Sequence, residues 1–277
     1  MAIILDGKAL SNKIKEEVKA EVDAMRVKPH LVVIQVGDNP ASSVYVRNKQ
    51  RACEAVGIAS GLIKLGENTD EKELLSIIES LNLNNEINGI LVQLPLPKHI
   101  NEKNILDSIN PLKDVDGFHY INSGKLFNGD DSLVPCTPAG IVEMLNRYNI
   151  EVEGKHCVVV GRSNIVGKPI SILMLDKNAT VTICHSRTSN LKDITKQADI
   201  LIAAVGKPKL INSEYIKDNV TIIDVGINRT EYGLCGDIDF DDVKDKVYAI
   251  TPVPGGVGPM TIAMLMKNTL KAFNMQN

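Results

Sequence analysis

Cys157-Val-Val-Val-Gly161-Arg-Ser-Asn-Ile-Val-Gly167-Lys-Pro169 sets an apolar run before a glycine, then a short polar turn, then a second glycine and a proline. A continuous apolar run suits a strand covered on both faces, and proline is tolerated in a helix only in its first turn. The stretch therefore reads as strand, tight turn and helix start. The same context holds dinucleotide phosphates in Gly-x-Gly-x-x-Gly segments, where the second glycine admits the pyrophosphate and the third permits close helix packing. Here those two positions are Ser163 and Val166, and Gly167 stands one place late. Read alone, the stretch fits an ordinary βα turn as well as a nucleotide site. In the second case Gly161, Arg162 and Ser163 are the candidate phosphate contacts, beside free N–H groups at a helix N-terminus.

Outward from this stretch the pattern repeats. "ATVTICHS", "ADILIAAVG", "VTIIDVG" and "VYAITPVP" follow it, and "HLVVIQVG", "GLIKLG" and "INGILVQLPL" precede it, each a short apolar run ended by a turn signal and separated by amphipathic stretches. That rhythm predicts parallel α/β sheets, and its two series predict two α/β domains, the second a Rossmann-like parallel sheet. Between the series, Asn110 to Gly140 has little periodicity and many turn residues, which places a boundary and part of a site there. Pro138 is expected to open the helix leading into the second domain. Gly258 and Pro259, at the end of the Pro/Gly-rich loop from Thr251, suit the start of a closing helix.

The totals narrow the partners. A chain of 277 residues, 44% hydrophobic and 23% charged, can bury a sizeable core. A net charge of −3 without a long basic run leaves no footprint for nucleic acid. No apolar stretch is long enough for a membrane span or signal core, so a cytoplasmic protein with no membrane partner is expected. The five cysteines are scattered and never paired as Cys-x-x-Cys, and the five histidines lack metal-ligand spacing, so neither disulfides nor a metal are assigned.

Two further clusters carry chemistry. A NAD site usually ends its second strand in a carboxylate for the ribose 2′-OH, whereas Thr180 to Arg187 ends Cys-His-Ser-Arg. Arg162, Ser186 and Arg187 suit a 2′-phosphate instead, which favours NADP; as isolated features they also read as solvated loop residues. In "SVYVRNKQRACEAVG", Tyr45 and Lys49 stand four residues apart on one helix face, with Ser42 before them. Short-chain dehydrogenases use a Tyr-x-x-x-Lys pair, but after their nucleotide segment; here it comes more than a hundred residues earlier. Such a pair can also be a snorkelling surface feature.

"YVRNKQ", "VQLPLP" from Val92, "DVDGF" from Asp114, "VVVGRSNIVGKP" and "PVPGGVGPMT" from Pro252 occur in that order. Together they resemble the bifunctional methylenetetrahydrofolate dehydrogenase/cyclohydrolase family, over nearly the whole chain from "LDGK" at Leu5. The resemblance implies a folate-binding catalytic domain over 1–137, completed by the helix at 258–277, an NADP-binding domain over 138–257, and an active-site cleft between them. It implies Lys49 as the catalytic lysine, Tyr45 stacking on the pterin, Gln93 tuning the lysine and Asp116 binding the pterin edge. It also implies Ser42, Gly258 and Pro259 near the substrate, Ile227 near the cofactor, and a homodimer formed through the nucleotide domain. Hydride removal from 5,10-methylenetetrahydrofolate needs position rather than a base; hydrolysis of the methenyl cation to 10-formyltetrahydrofolate needs a proton carrier, for which Lys49 is the candidate. The Gln93 amide is expected to donate to the lysine amine. Relatives often carry Lys-x-Lys where this chain has Lys49-Gln50-Arg51, which keeps the charge but changes its shape. A dehydrogenase without cyclohydrolase activity, and a non-catalytic NADP- or folate-binding protein, are the alternatives.

Overall fold

The computed structural model describes residues 2–277. In chain order the elements are β1 (Ile3–Ile4), α1 (Gly7–Ala24), β2 (His30–Val36), α2 (Pro40–Val56), β3 (Ala59–Leu65), α3 (Glu71–Leu83), β4 (Gly89–Val92), α4 (Glu102–Ser108), α5 (Tyr120–Asn128) and α6 (Cys136–Arg147). Then follow β5 (His156–Val160), α7 (Gly167–Asp176), β6 (Thr180–Cys184), α8 (Leu191–Thr195), β7 (Ile200–Ala203), β8 (Thr221–Asp224), β9 (Asn228–Thr230), β10 (Gly233–Cys235), α9 (Phe240–Val243), β11 (Ala249–Ile250) and α10 (Val257–Gln276). The chain divides into two compact units, Asn12–Cys136 with Ile262–Asn277, and Met1–Ser11 with Thr137–Thr261.

The first of these is built on a three-stranded parallel sheet of order β3-β2-β4. β2 and β4 are almost wholly buried, as their Val, Ile and Leu content requires, while β3 is half exposed at the edge. Val32, Ile34, Leu74, Ile78, Ile90 and Ile105 form one core under α3 and α4. Asp70 and Asn101 cap those helices with their side-chain oxygens, and the Glu71 carboxylate accepts from Asn101 N and Asn104 Nδ2, tying one helix start to the other. Lys113 is buried, and its ammonium donates to the carbonyls of Leu81, Asn82 and Asn84 at the end of α3. That anchor fixes the segment carrying Asp114 and Asp116. The turn-rich reading of 110–140 misses α5, whose start is capped by a ring nitrogen of His119 rather than by a usual capping residue. Gly129 closes it in the left-handed conformation, φ 76°.

The second unit holds a six-stranded parallel sheet, order β1-β11-β8-β7-β5-β6, and the antiparallel β9–β10 hairpin. β5, β7 and β8 are buried central strands, and Val158, Leu201, Ile222, Val243 and Ile250 anchor the core on one face. From β5 the chain moves outward to β6, then returns across to β7, so the direction of winding reverses between β5 and β7. At such a switch point the loops leaving the strand ends part and open a crevice. β1 differs from the expected division at residue 137: Ile3 and Ile4 pair with Ala249 and Ile250 and extend this sheet. Two residues cannot form a strand alone, and the open edge of β11 supplies their partner.

Candidate active site

Lys49 stands on α2 between Val46 and Cys53, on the face that the helix buries. An amine head there must find hydrogen-bond partners. Gln93 provides one: its backbone extends the sheet by donating to Ile34 O, which sets its side chain toward α2. Lys49 Nζ donates to Gln93 Oε1 at 3.0 Å, and Gln93 Nε2 donates to Leu94 O at 2.7 Å. A carbonyl only accepts, so the second bond fixes which way the amide faces. The expected direction is therefore reversed: the lysine donates and the glutamine accepts. Tyr45, one turn earlier, is 40% exposed and presents its ring to the surface, while Ser42 is buried near the start of the helix. Arg51 faces away from Lys49, in a separate surface depression of about 480 Å³ with Arg47, Gln50 and Glu54.

Asp114 organises the next piece. Its buried carboxylate accepts from Phe118 N, His119 N and Asn122 Nδ2 at 3.2, 2.8 and 2.9 Å. Gly117 has φ +72°, and a side chain there would press on Leu133 O and Pro135 N at 2.6 Å. The Asp-Val-Asp-Gly turn is thus held from both sides, and Asp116 projects from it, half-buried. Burial pushes the Asp116 carboxyl above the usual range, opposed by the positive charge of Lys49 and by the Cys136 thiol. Cys136 Sγ also lies 3.3 Å from Val115 O, and one S–H proton serves only one of these acceptors at a time. Asn268 on α10 donates to Val115 O and Val134 O, both at 2.8 Å, and approaches the same sulfur. Burial and the Asp116 charge raise the Cys136 thiol well above its ordinary value, so it is a neutral neighbour rather than a nucleophile.

In the other unit Gly161 has φ +137°, and a side chain there would collide with Ala204 O at the start of the loop after β7. Gly167 packs against Gly161 and Arg162 so closely that no side chain fits, which gives it the helix-packing role despite its shifted place. Ser163 Oγ accepts from Val166 N at 3.1 Å and Gly167 N at 3.3 Å, bracing the turn ahead of α7. Both bonds use its lone pairs, so its own hydrogen stays free to donate outward. Arg162, Ser186 and Arg187 are exposed, and neither guanidinium forms an ion pair among the described residues. Two unpaired guanidiniums, a donor hydroxyl and a helix N-terminus at the ends of parallel strands are a donor set that fits a phosphorylated dinucleotide. Ile227, 47% exposed, follows β8, and its Cδ1 lies 3.3 Å from where a Gly258 side chain would begin. Pro259 occupies the first turn of α10.

Comparisons with known proteins agree over the whole length. The tetrahydrofolate dehydrogenase/cyclohydrolase catalytic-domain model matches residues 5–116, and the NAD(P)-binding-domain model of the same name matches residues 135–277. The chain belongs to the tetrahydrofolate dehydrogenase/cyclohydrolase family. The bifunctional protein FolD of Agathobacter rectalis is 58% identical over 276 residues, covering 98% of this chain and 99% of that protein. That of Streptococcus thermophilus is 57% identical over 277 residues, covering 98% of each. Among solved structures, the bifunctional FolD methylenetetrahydrofolate dehydrogenase/cyclohydrolase of Campylobacter jejuni is 49% identical, with TM-score 0.98 and complete coverage of both chains. The Trypanosoma brucei dehydrogenase-cyclohydrolase, solved with NADP and an inhibitor, is 36% identical with TM-score 0.94, covering 99% of this chain and 98% of that one.

Within this member of the tetrahydrofolate dehydrogenase/cyclohydrolase family, sequence reading brings Lys49, Gln93 and Asp116 to attention but passes over Cys136, Asn268 and Asp114. Cys136 reads as a small buried hydrophobe, and Asn268 sits in an apolar helix where its partners, more than a hundred residues earlier, leave no local trace. A lone amide in such a helix is the one available signal. Among the described residues no group of three His, Cys, Asp or Glu side chains could hold a metal ion, and no helix is long and apolar enough to cross a membrane.

Proposed function

We infer that this chain is a bifunctional folate enzyme. It oxidises 5,10-methylenetetrahydrofolate to the 5,10-methenyl cation with NADP, then hydrolyses that cation to 10-formyltetrahydrofolate. The observation that carries the reading is the buried Lys49 hydrogen-bonded to half-buried Gln93 beside Asp116, in a chain matched by both domain models of the family.

The first step moves a hydride and releases no proton, so the residues have only to bind and orient. Asp116 accepts the paired donors of the pterin edge, a charge-assisted arrangement that fixes the ring. Tyr45 lies against the ring face, with Ser42, Gly258 and Pro259 bordering the substrate. NADP supplies the hydride acceptor when bound. Gly161 and Ser163 would hold its phosphates, Arg162, Ser186 and Arg187 its 2′-phosphate, and Ile227 would border the cofactor. The second step adds water to the methenyl carbon, opens the ring and releases one proton. Lys49 takes that proton from the attacking water at Nζ and passes it to solvent, while Gln93 Oε1 keeps the amine aimed.

The enzyme works as a homodimer through its nucleotide-binding unit. β6 is the edge strand there, with Ile183 42% exposed, a surface a second copy can cover. Sedimentation at micromolar concentration tests this, and a monomer refutes it. Five free cysteines suit a reducing cytoplasm. The enzymatic reading is tested by following methylenetetrahydrofolate oxidation with NADP, and methenyl hydrolysis without nucleotide, in wild type and Lys49→Ala. Loss of hydrolysis by about a hundredfold or more is expected in the variant; undiminished hydrolysis removes Lys49 from the mechanism.

A further inference from the structure

Two buried carboxylates in the nucleotide-binding unit are used by nothing described so far. Asp237 is fully buried, and its Oδ2 accepts from Val205 N at 2.7 Å and Gly206 N at 3.0 Å. Its Oδ1 accepts from Lys207 N at 2.8 Å and Asn228 Nδ2 at 2.9 Å. Asp224, the last residue of β8, accepts from Gly226 N at 3.0 Å and from Asp237 N and Ile238 N at 2.9 Å each. Three successive backbone N–H groups turned on one anion form a nest of the kind proteins use for phosphate, here filled by the protein's own carboxylate. Side chains at Gly226 and Gly236 would overlap Asp237 and Asp224 respectively, so both glycines are there to let the carboxylates in.

What the pair holds is specific. Val205–Lys207 is the loop leaving β7, next to the Gly161 turn, to which Ala204 is joined by its N–H on Val160 O at 2.8 Å. Gly226 to Asn228 is the turn leaving β8 and carries Ile227. Both lie at the C-terminal ends of parallel strands around the switch point, where a dinucleotide crosses. Burying two carboxylates near each other costs free energy that an apolar staple would not. Both carboxylates are buried, so each acts through the backbone groups and, for Asp237, the Asn228 amide that it holds.

We propose that Asp237, backed by Asp224, is the positioning residue of the NADP site: it sets the Val205–Lys207 loop and the Ile227 turn in the conformation that receives the nicotinamide half. This rests on the reading above that the chain uses NADP. The full-length protein is compared with Asp237→Asn, which turns an amide donor onto the N–H donors, and with the milder Asn228→Ala, which removes one donor of four. Amide hydrogen exchange without nucleotide is expected to speed up at Val205–Lys207 in Asp237→Asn. The NADPH dissociation constant, from nucleotide fluorescence, and KM for NADP are expected to rise about tenfold, and about threefold in Asn228→Ala. The folate KM and nucleotide-free hydrolysis should change far less. The proposal is overturned if exchange speeds up while NADPH affinity stays put, or if folate KM, hydrolysis and NADPH affinity deteriorate together, which marks a general folding defect. If Asp237→Asn does not fold, Asn228→Ala decides alone: unchanged NADPH affinity overturns the proposal. Wild type that binds no NADPH refutes the enzymatic reading instead.

Discussion

Lys49 Nζ and Gln93 Oε1 are 3.0 Å apart, and the amide of Gln93 is turned by its own bond to Leu94 O, so the lysine has an acceptor that cannot flip away. One N–H direction of the amine is thereby fixed, which fixes the directions of the others. Gln93→Leu removes both bonds at a half-buried position and leaves the backbone bond to Ile34 in place. Methenyl hydrolysis should fall by roughly ten- to a hundredfold, with stability lowered by about 1–3 kcal/mol for the amine left without its acceptor and the protein still folded at the assay temperature. A variant unfolded at that temperature would instead make Gln93 a structural residue.

With Asp116 on the pterin edge, an acid limit to folate binding is expected. Burial raises its carboxyl, while the Lys49 charge pulls it back. A protonated Asp116 loses its value as a double acceptor, so folate affinity should decline as pH falls through its titration. Removing the neighbouring charge lifts the carboxyl further, so in Lys49→Ala the decline should begin at higher pH, whereas Lys49→Arg should leave it near its wild-type place. Binding titrations across pH in the three proteins check this, and superimposable curves exclude the coupling.

The parts legible in the sequence are those with local causes. β2, β5, β7 and β8 announce themselves as short, mostly apolar runs, and the Gly161 turn by its strand-to-helix setting. What stays hidden is written in distant or backbone partners. β1 needs β11, almost the whole chain away, and α5 is capped by a histidine ring. Asp224 and Asp237 bind N–H groups that every residue but proline carries, so no side-chain pattern marks them. Lys49 and Gln93, 44 residues apart, are recognisable only when their two motifs are read together.

Replacing Gly161 is expected to separate the two activities. Its φ of +137° lies where L side chains are rarely found, and an added methyl would overlap Ala204 O. Gly161→Ala should cost about 1–3 kcal/mol of stability and displace the loop after β7, abolishing NADPH binding at concentrations that saturate wild type. Methenyl hydrolysis without nucleotide should survive below the lowered melting temperature. Normal NADPH affinity in the variant would show that this turn does not meet the dinucleotide.

Asp224 imposes a pH dependence of known sign on stability. Burial and the nearby Asp237 raise its carboxyl from 3.8 to about 6, against the pull of three backbone N–H groups. Between those values the folded protein holds a proton that the unfolded chain has released, so this contribution is complete below about 4 and is lost as pH rises through about 6. Asp224→Asn cannot titrate. Taking the difference in unfolding free energy, variant minus wild type, cancels every shared group that does not interact with Asp224. That difference should climb by something on the order of 3 kcal/mol between pH 4 and pH 7 and stay level above it. Denaturant titrations at a series of pH values measure it directly. A flat difference would mean that Asp224 ionises in the folded protein as it does in the unfolded chain, with its three N–H bonds offsetting the whole cost of burial.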